Sequence, residues 1–179
     1  MRCTSADLNS AEVQRIEDVK LLRGNQFVED ASPTAHPIQP KSYISMNNFY
    51  TATVYEKGAE VIRMIHTLIG EEAYKKAMDL YFELFDGKAV GTDDFLYCIS
   101  EVSGEDLTDF KRWYDQSGTP TLKIVENFSE GVYRLTIEQG VPKSVGGEVQ
   151  QHYTMPFIIG LIDMNGFSQK RKSLLFLKV

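Results

Sequence analysis

Through the first two thirds of the chain, apolar residues recur at three- and four-residue spacing, the mark of helices with one buried face. Residues 10–24 carry Val13, Ile16, Val19 or Lys20, and Leu21 and Leu22 on one stripe, which Gly24 is expected to close. In "EDASPTAHPIQPKSY" the prolines Pro33, Pro37 and Pro40 forbid helix and favour an extended, ordered strap. A second helix opens inside "NNFYTATVYEKGAEVIRMI". Thr53 and Glu56 have capping-box spacing there, and Val54, Gly58, Val61, Ile62, Ile65, Leu68 and Ile69 share one face up to a stop at Gly70. A third helix covers residues 71–85 with Ala73, Ala77, Leu80, Tyr81 and Leu84 inward. A fourth starts at Thr92, where Asp93 and Asp94 complement the helix dipole, carries Phe95, Ile99 and Val102, and ends at Gly104. A fifth is expected from near Asp106 through Leu107, Phe110, Trp113 and Tyr114 to Gly118.

After that the period shortens. "TPTLKIVENF" and "GVYRLTIEQ", separated by Ser129-Glu130-Gly131, predict a β-hairpin. "YTMPFIIGLIDMNGFSQ" predicts another strand with Asn165-Gly166 as a two-residue turn, and "KSLLFLKV" its return. The section "GVPKSVGGEVQQH" between them reads as a loop. The expected class is α+β, helices first and antiparallel strands second, with the boundary at residues 117–120. No internal repeat is present.

Composition narrows the function classes. The chain has 179 residues, 42% hydrophobic and 25% charged, as in ordinary globular domains. A net charge of −6 argues against nucleic acid, whose phosphates need a clustered basic face, and the Lys170-Arg171-Lys172 run is read as a solvated loop, so no nucleic-acid partner is expected. No apolar run approaches the ~18 residues that span a bilayer, and the N-terminus lacks a signal-peptide core, so no membrane is expected. Cys3 and Cys98, far apart and in unlike surroundings, suggest a reducing, cytoplasmic setting.

The candidate chemistry sits at the start of the second helix. Tyr55 falls at the edge of the apolar arc, where a tyrosine ordinarily packs its ring and wets its hydroxyl. The alternative is a phenol aimed past the helix start into a cleft, donating a hydrogen bond to a developing oxyanion. Periodicity alone leaves both open.

The segment "NNFYTATVYEKGAEVIRMIHTLIGEEAY" resembles, nearly letter for letter, part of the zinc aminopeptidase family of aminopeptidase N (alanyl aminopeptidase), closest to its bacterial-type cytosolic branch. "RIEDVKLLRGNQFVEDASPTAHPIQP" is similar to the stretch before it. "DLTDFKRWYDQSGTPTLKI" is similar to the join between the family's thermolysin-like catalytic domain and a β-sandwich. The resemblance implies that residues 1–118 are the C-terminal helical portion of that catalytic domain and that residues 119–179 belong to the β-sandwich domain. It implies that Tyr55 is the catalytic tyrosine, donating to the tetrahedral intermediate, and that Tyr50 lines the substrate pocket. It implies zinc in the parent enzyme and peptides, trimmed at their N-termini, as its substrates.

The family's zinc motif H-E-x-x-H and its amine-binding G-x-M-E-N segment do not occur in this sequence. Its histidines are His36, His66 and His152, no two of them four residues apart. The resemblance therefore implies a piece of a longer enzyme, expected to bind no zinc and to turn over nothing alone. The missing remainder of the catalytic domain is its expected partner, and self-association is expected through the exposed stripe of residues 10–23 and the Tyr50–Tyr55 side. Two other classes are weighed beside it. One is a non-catalytic scaffold or interaction module, which has no reason to keep the Tyr50–Tyr55 segment. The other is a non-metal hydrolase, for which no G-x-S-x-G elbow or neighbouring Cys–His pair is present.

Overall fold

Among the described residues, the helical periodicity is realised in four longer helices and two short ones. The computed structural model describes residues 10–143, 150–162 and 168–176. Helix α1 spans Ala11–Leu21 and does not end at Gly24. It passes into a π-helical turn, Leu22–Gln26, and on into the short α2, Phe27–Asp30. Gly24 stays helical because the turn has no need of a left-handed residue there. Residues 31–45 form the irregular, proline-bearing strap, which is followed by a 3-10 turn at Met46–Phe49. A second π-helical turn, Thr53–Lys57, leads into α3, Gly58–Ile69. Helix α4 spans Glu71–Phe85 and α5 spans Thr92–Ser103, each bounded as the pattern predicts.

The expected fifth helix is broken. A 3-10 turn at Asp109–Lys111 and one α-helical turn, α6 (Arg112–Asp115), stand in its place. The segment is short, and burial of Leu107, Phe110, Trp113 and Tyr114 holds it more than helical hydrogen bonding does.

Strand β1 (Thr121–Ser129) pairs antiparallel with β2 (Val132–Gly140), from Thr121 opposite Gly140 to Ser129 opposite Val132. The connection is therefore the two residues Glu130-Gly131, both at positive φ (53° and 76°), a type I′ geometry that follows the twist of the strands. Strand β3 (Pro156–Ile162) pairs with β4 (Ser168–Phe176), with a register shift between Ile159 and Leu161. The expected Asn165-Gly166 turn lies outside the described residues.

The chain divides into two units. The first holds the described residues up to Glu60 together with Arg112–Tyr153, and the second holds Val61–Lys111 together with the described residues from Thr154 onward. In the second unit α4 packs on α5, with the Tyr81 and Phe95 rings edge to face at 5.9 Å, and Ala77, Leu96, Cys98 and Ile99 are buried. Leu84, expected inward, is 36% exposed at the end of α4. In the first unit Trp113 lies 4.3 Å from the Tyr153 ring. Gln139 binds both the N–H and the carbonyl of Tyr153, at 2.6 and 2.9 Å. The buried residues of the first unit are unusually polar: Gln26, Asp30, Thr53, Lys57, Ser117 and Gln139.

Candidate functional site

The segment "YTATVYEK" enters its helix two residues earlier than a capping box at Thr53 would place it. The Thr51 carbonyl accepts the Tyr55 N–H at 3.2 Å, and the Thr51 hydroxyl accepts the Val54 N–H at 3.2 Å. Thr51 thus does the capping, and the Thr53–Glu56 box is not formed. The Thr53 N–H and hydroxyl both turn instead to one oxygen of Glu29, at 2.8 and 2.5 Å. The competing partner wins because Thr53 is fully buried, and a buried donor must be satisfied by whatever faces it.

Tyr50 and Tyr55 come together. Their rings stack with centroids 6.1 Å apart and 21° between planes, and the residues are 63% and 56% exposed. Neither phenol has a hydrogen-bond partner among the described residues. Two half-exposed stacked rings with open hydroxyls present hydrogen-bond donors over an apolar surface, an arrangement able to hold a polar group and polarise it.

Behind the tyrosines lies an ion pair. The Lys57 ammonium donates to Asp30 at 2.8 Å and to the Gly118 carbonyl at 3.0 Å. Asp30 also accepts the Gly118 N–H at 2.7 Å and the Thr119 hydroxyl at 3.0 Å. Burial pushes the Asp30 carboxyl up, but the Lys57 ammonium and hydrogen bonds from Lys57, Gln26 and Gly118 outweigh it and hold the group below the usual carboxylate range. Burial, and secondarily Asp30, push the Tyr153 phenol above its ordinary value, and its hydroxyl donates to the Ser117 carbonyl at 3.0 Å. This network was not singled out from the sequence, although one signal existed. Lys57 sits at the head of the stripe Lys57, Val61, Ile65, Leu68, all buried, and a lysine on a buried stripe requires an acid. The same stripe explains why Ile62, expected inward, is 39% exposed.

The histidines are dispersed. Nδ1 of His36 bonds the Pro37 carbonyl at 2.7 Å, and its Nε2 lies 3.7 Å from Glu29. His66 pairs with Glu71 at 2.8 Å and meets the Tyr74 ring edge-on at 5.0 Å. His152 is exposed, its carbonyl accepting from Arg112 at 3.0 Å. Among the described residues no three His, Cys, Asp or Glu side chains converge as a metal site, so these residues do not fit a catalytic zinc.

A model of the peptidase family M1 domain matches residues 1–114. Aminopeptidase N of Escherichia coli (strain K12) is 52% identical over 164 residues, covering 90% of this chain and 19% of that protein. Aminopeptidase N of Haemophilus influenzae is 48% identical over 167 residues, covering 92% of this chain and again 19% of the relative. Among solved structures, Legionella pneumophila aminopeptidase A in complex with aspartic acid superposes with a TM-score of 0.69 at 27% identity, over 90% of this chain and 20% of its own. The α+β architecture is consistent with that neighbour. The chain spans about a fifth of the length of these relatives, and it belongs to peptidase family M1.

Proposed function

We propose that this chain is a segment of a zinc-dependent aminopeptidase that removes N-terminal residues from peptides, and that it contributes the oxyanion donor. In this reading Tyr55 donates its phenolic proton as a hydrogen bond to the oxygen of the tetrahedral intermediate, and Tyr50 lines the substrate pocket beside it. The observation that carries the reading is the stacked, half-exposed pair with both hydroxyls open. Residues 1–118 act as the C-terminal helical portion of the catalytic domain, and residues 119–179 as part of a β-sandwich. The sequence carries no H-E-x-x-H motif, so in this reading the chain contributes a donor and a wall while the rest of the enzyme would hold the zinc that the family implies. Alone it is expected to hydrolyse nothing measurable, and the remainder of the catalytic domain is its natural partner. No helix among the described residues is long and apolar enough to cross a membrane.

The test is a chimera in which this sequence replaces the matching segment of Escherichia coli aminopeptidase N, assayed on an alanine anilide. Removing one oxyanion donor typically costs about 10²–10³ in kcat, so Tyr55→Phe should lose that much with little change in KM. An active chimera indifferent to Tyr55→Phe would remove Tyr55 from catalysis. It would favour the second reading, a non-catalytic interaction module, for which the exposed Val13, Ile16, Val28 and Phe128 are the motivating surface.

A further inference from the structure

Tyr55 sits at the midpoint of the π-helical turn Thr53–Lys57, and both ends of that turn are pinned. Residues four apart on a helix share a side, so Thr53 and Lys57 face the preceding helical segment together while Tyr55, midway between them, faces away. The exposures follow: Thr53 is 0% exposed, Lys57 5% and Tyr55 56%. At the Thr53 end the pins are Glu29, at 2.8 and 2.5 Å, and the Gln26 amide, which donates to the Thr53 hydroxyl at 3.4 Å. At the Lys57 end they are Asp30 and the Gly118 carbonyl. Both sets of side chains come from the turn and short helix at residues 22–30, so the two helical segments are zipped residue against residue.

A π-helical turn is rare and survives where its surroundings over-determine it. Relaxation to an ordinary α-helical turn changes the rotation between Thr53 and Lys57, which would swing Tyr55 out of register with Tyr50. We propose that Lys57 and Asp30 are positioning residues for the tyrosine pair, their buried ion pair holding the π-helical turn in the rotation that stacks Tyr55 on Tyr50. This deepens the reading of that pair as catalytic machinery and rests on it for its functional meaning. The geometry itself does not depend on turnover. Arg15 and Glu60 make a further ion pair in the same unit, bidentate and beyond the π turn, and serve as an internal control.

The experiment uses the full 179-residue chain with protonated tyrosine rings in a deuterated background, read by nuclear Overhauser contacts. A Tyr50–Tyr55 ring contact is expected in the parent chain, retained in Arg15→Met and lost in Lys57→Met. Persistence of the contact in a folded Lys57→Met chain, or its absence from the parent chain, overturns the proposal. Should Lys57→Met fail to fold, Asp30→Asn removes the charge of the same ion pair at nearly constant volume and carries the same expectation, loss supporting the proposal and persistence overturning it. If the contacts behave as expected while the chimera proves indifferent to Tyr55→Phe, positioning stands and the catalytic reading falls.

Discussion

Gly118 is the residue on which the first unit turns. Its φ is +87°, and a Cβ added there would lie 2.6 Å from Pro142 Cγ, so both backbone and space exclude any other residue. Its N–H and carbonyl are the two backbone ends of the Asp30–Lys57 ion pair. Gly118→Ala should therefore cost about 1–3 kcal/mol or more, read as a lowered urea midpoint at unchanged slope. The ion pair itself is almost wholly buried, with side-chain exposures of 6% and 1%. Removing one partner strands the other, and Lys57→Met is expected to destabilise by about 3–5 kcal/mol. An added Asp30→Leu should recover only part of that, because Asp30 also satisfies the Gly118 N–H and the Thr119 hydroxyl. The pH dependence has a definite sign. Asp30 is depressed below its unfolded value, so its contribution is complete above the ordinary carboxylate range of about pH 4 and disappears as pH falls through the folded value. Acid titration of stability should show the gap between the parent chain and Asp30→Asn narrowing in that window.

At the scale of elements, the contrast is between α3 and the β1–β2 hairpin. The inner face of α3 is closed, with Val61 and Ile65 at 1% and 0% exposure. The hairpin is mostly open: Ile124 and Val125 are each 52% exposed, Phe128 71% and Val132 59%, and cover is confined to the half-buried Leu122, Leu135 and Ile137 and the buried Gln139. A two-stranded ribbon with so little of one face covered is marginal by itself. Amide hydrogen exchange should accordingly find the β1–β2 hydrogen bonds opening long before those of α3, and equal protection in both would contradict these burials. The turn offers an independent check. Glu130 occupies a left-handed position that asparagine tolerates better, so Glu130→Asn should stabilise the hairpin by a few tenths of a kcal/mol, about 0.5, visible as slower exchange across β1–β2.

At the scale of the whole molecule, apolar surface remains to be accounted for. Helix α1 buries none of its residues, and Val13 and Ile16 are 55% and 53% exposed. In a chain that spans 19% of its bacterial relatives, such faces are expected to meet further polypeptide. The isolated chain should self-associate or bind an apolar dye, and Ile16→Glu should weaken both. A strictly monomeric, dye-silent parent chain would refute that. Cys98 reports on integrity in the same sample. It is fully buried, and burial, with Asp94 adding to it, raises its thiol. Its reaction with a thiol reagent should thus follow unfolding rather than simple access.

How much of this was legible beforehand depends on the range of the forces involved. The starts of α4 and α5, the stop at Gly70, the β1–β2 pairing and the burial of Cys98 follow from neighbours in sequence, and local periodicity records them. The family was legible too, because "VYEKGAEV" and its flanks are specific as a string. The capping box failed for the converse reason: its donors found Glu29, 24 residues away, and spacing carries no record of such a partner. Lys57 likewise found Asp30 across 27 residues and Gly118 across 61. The sequence by itself determined helices α4 and α5, the β1–β2 hairpin and membership of peptidase family M1, through short-range propensity and a distinctive string of residues. The tertiary structure alone decided the π-helical turns, the ion pair and the rotation that stacks Tyr55 on Tyr50, because buried polar groups take whichever partner packing brings within reach.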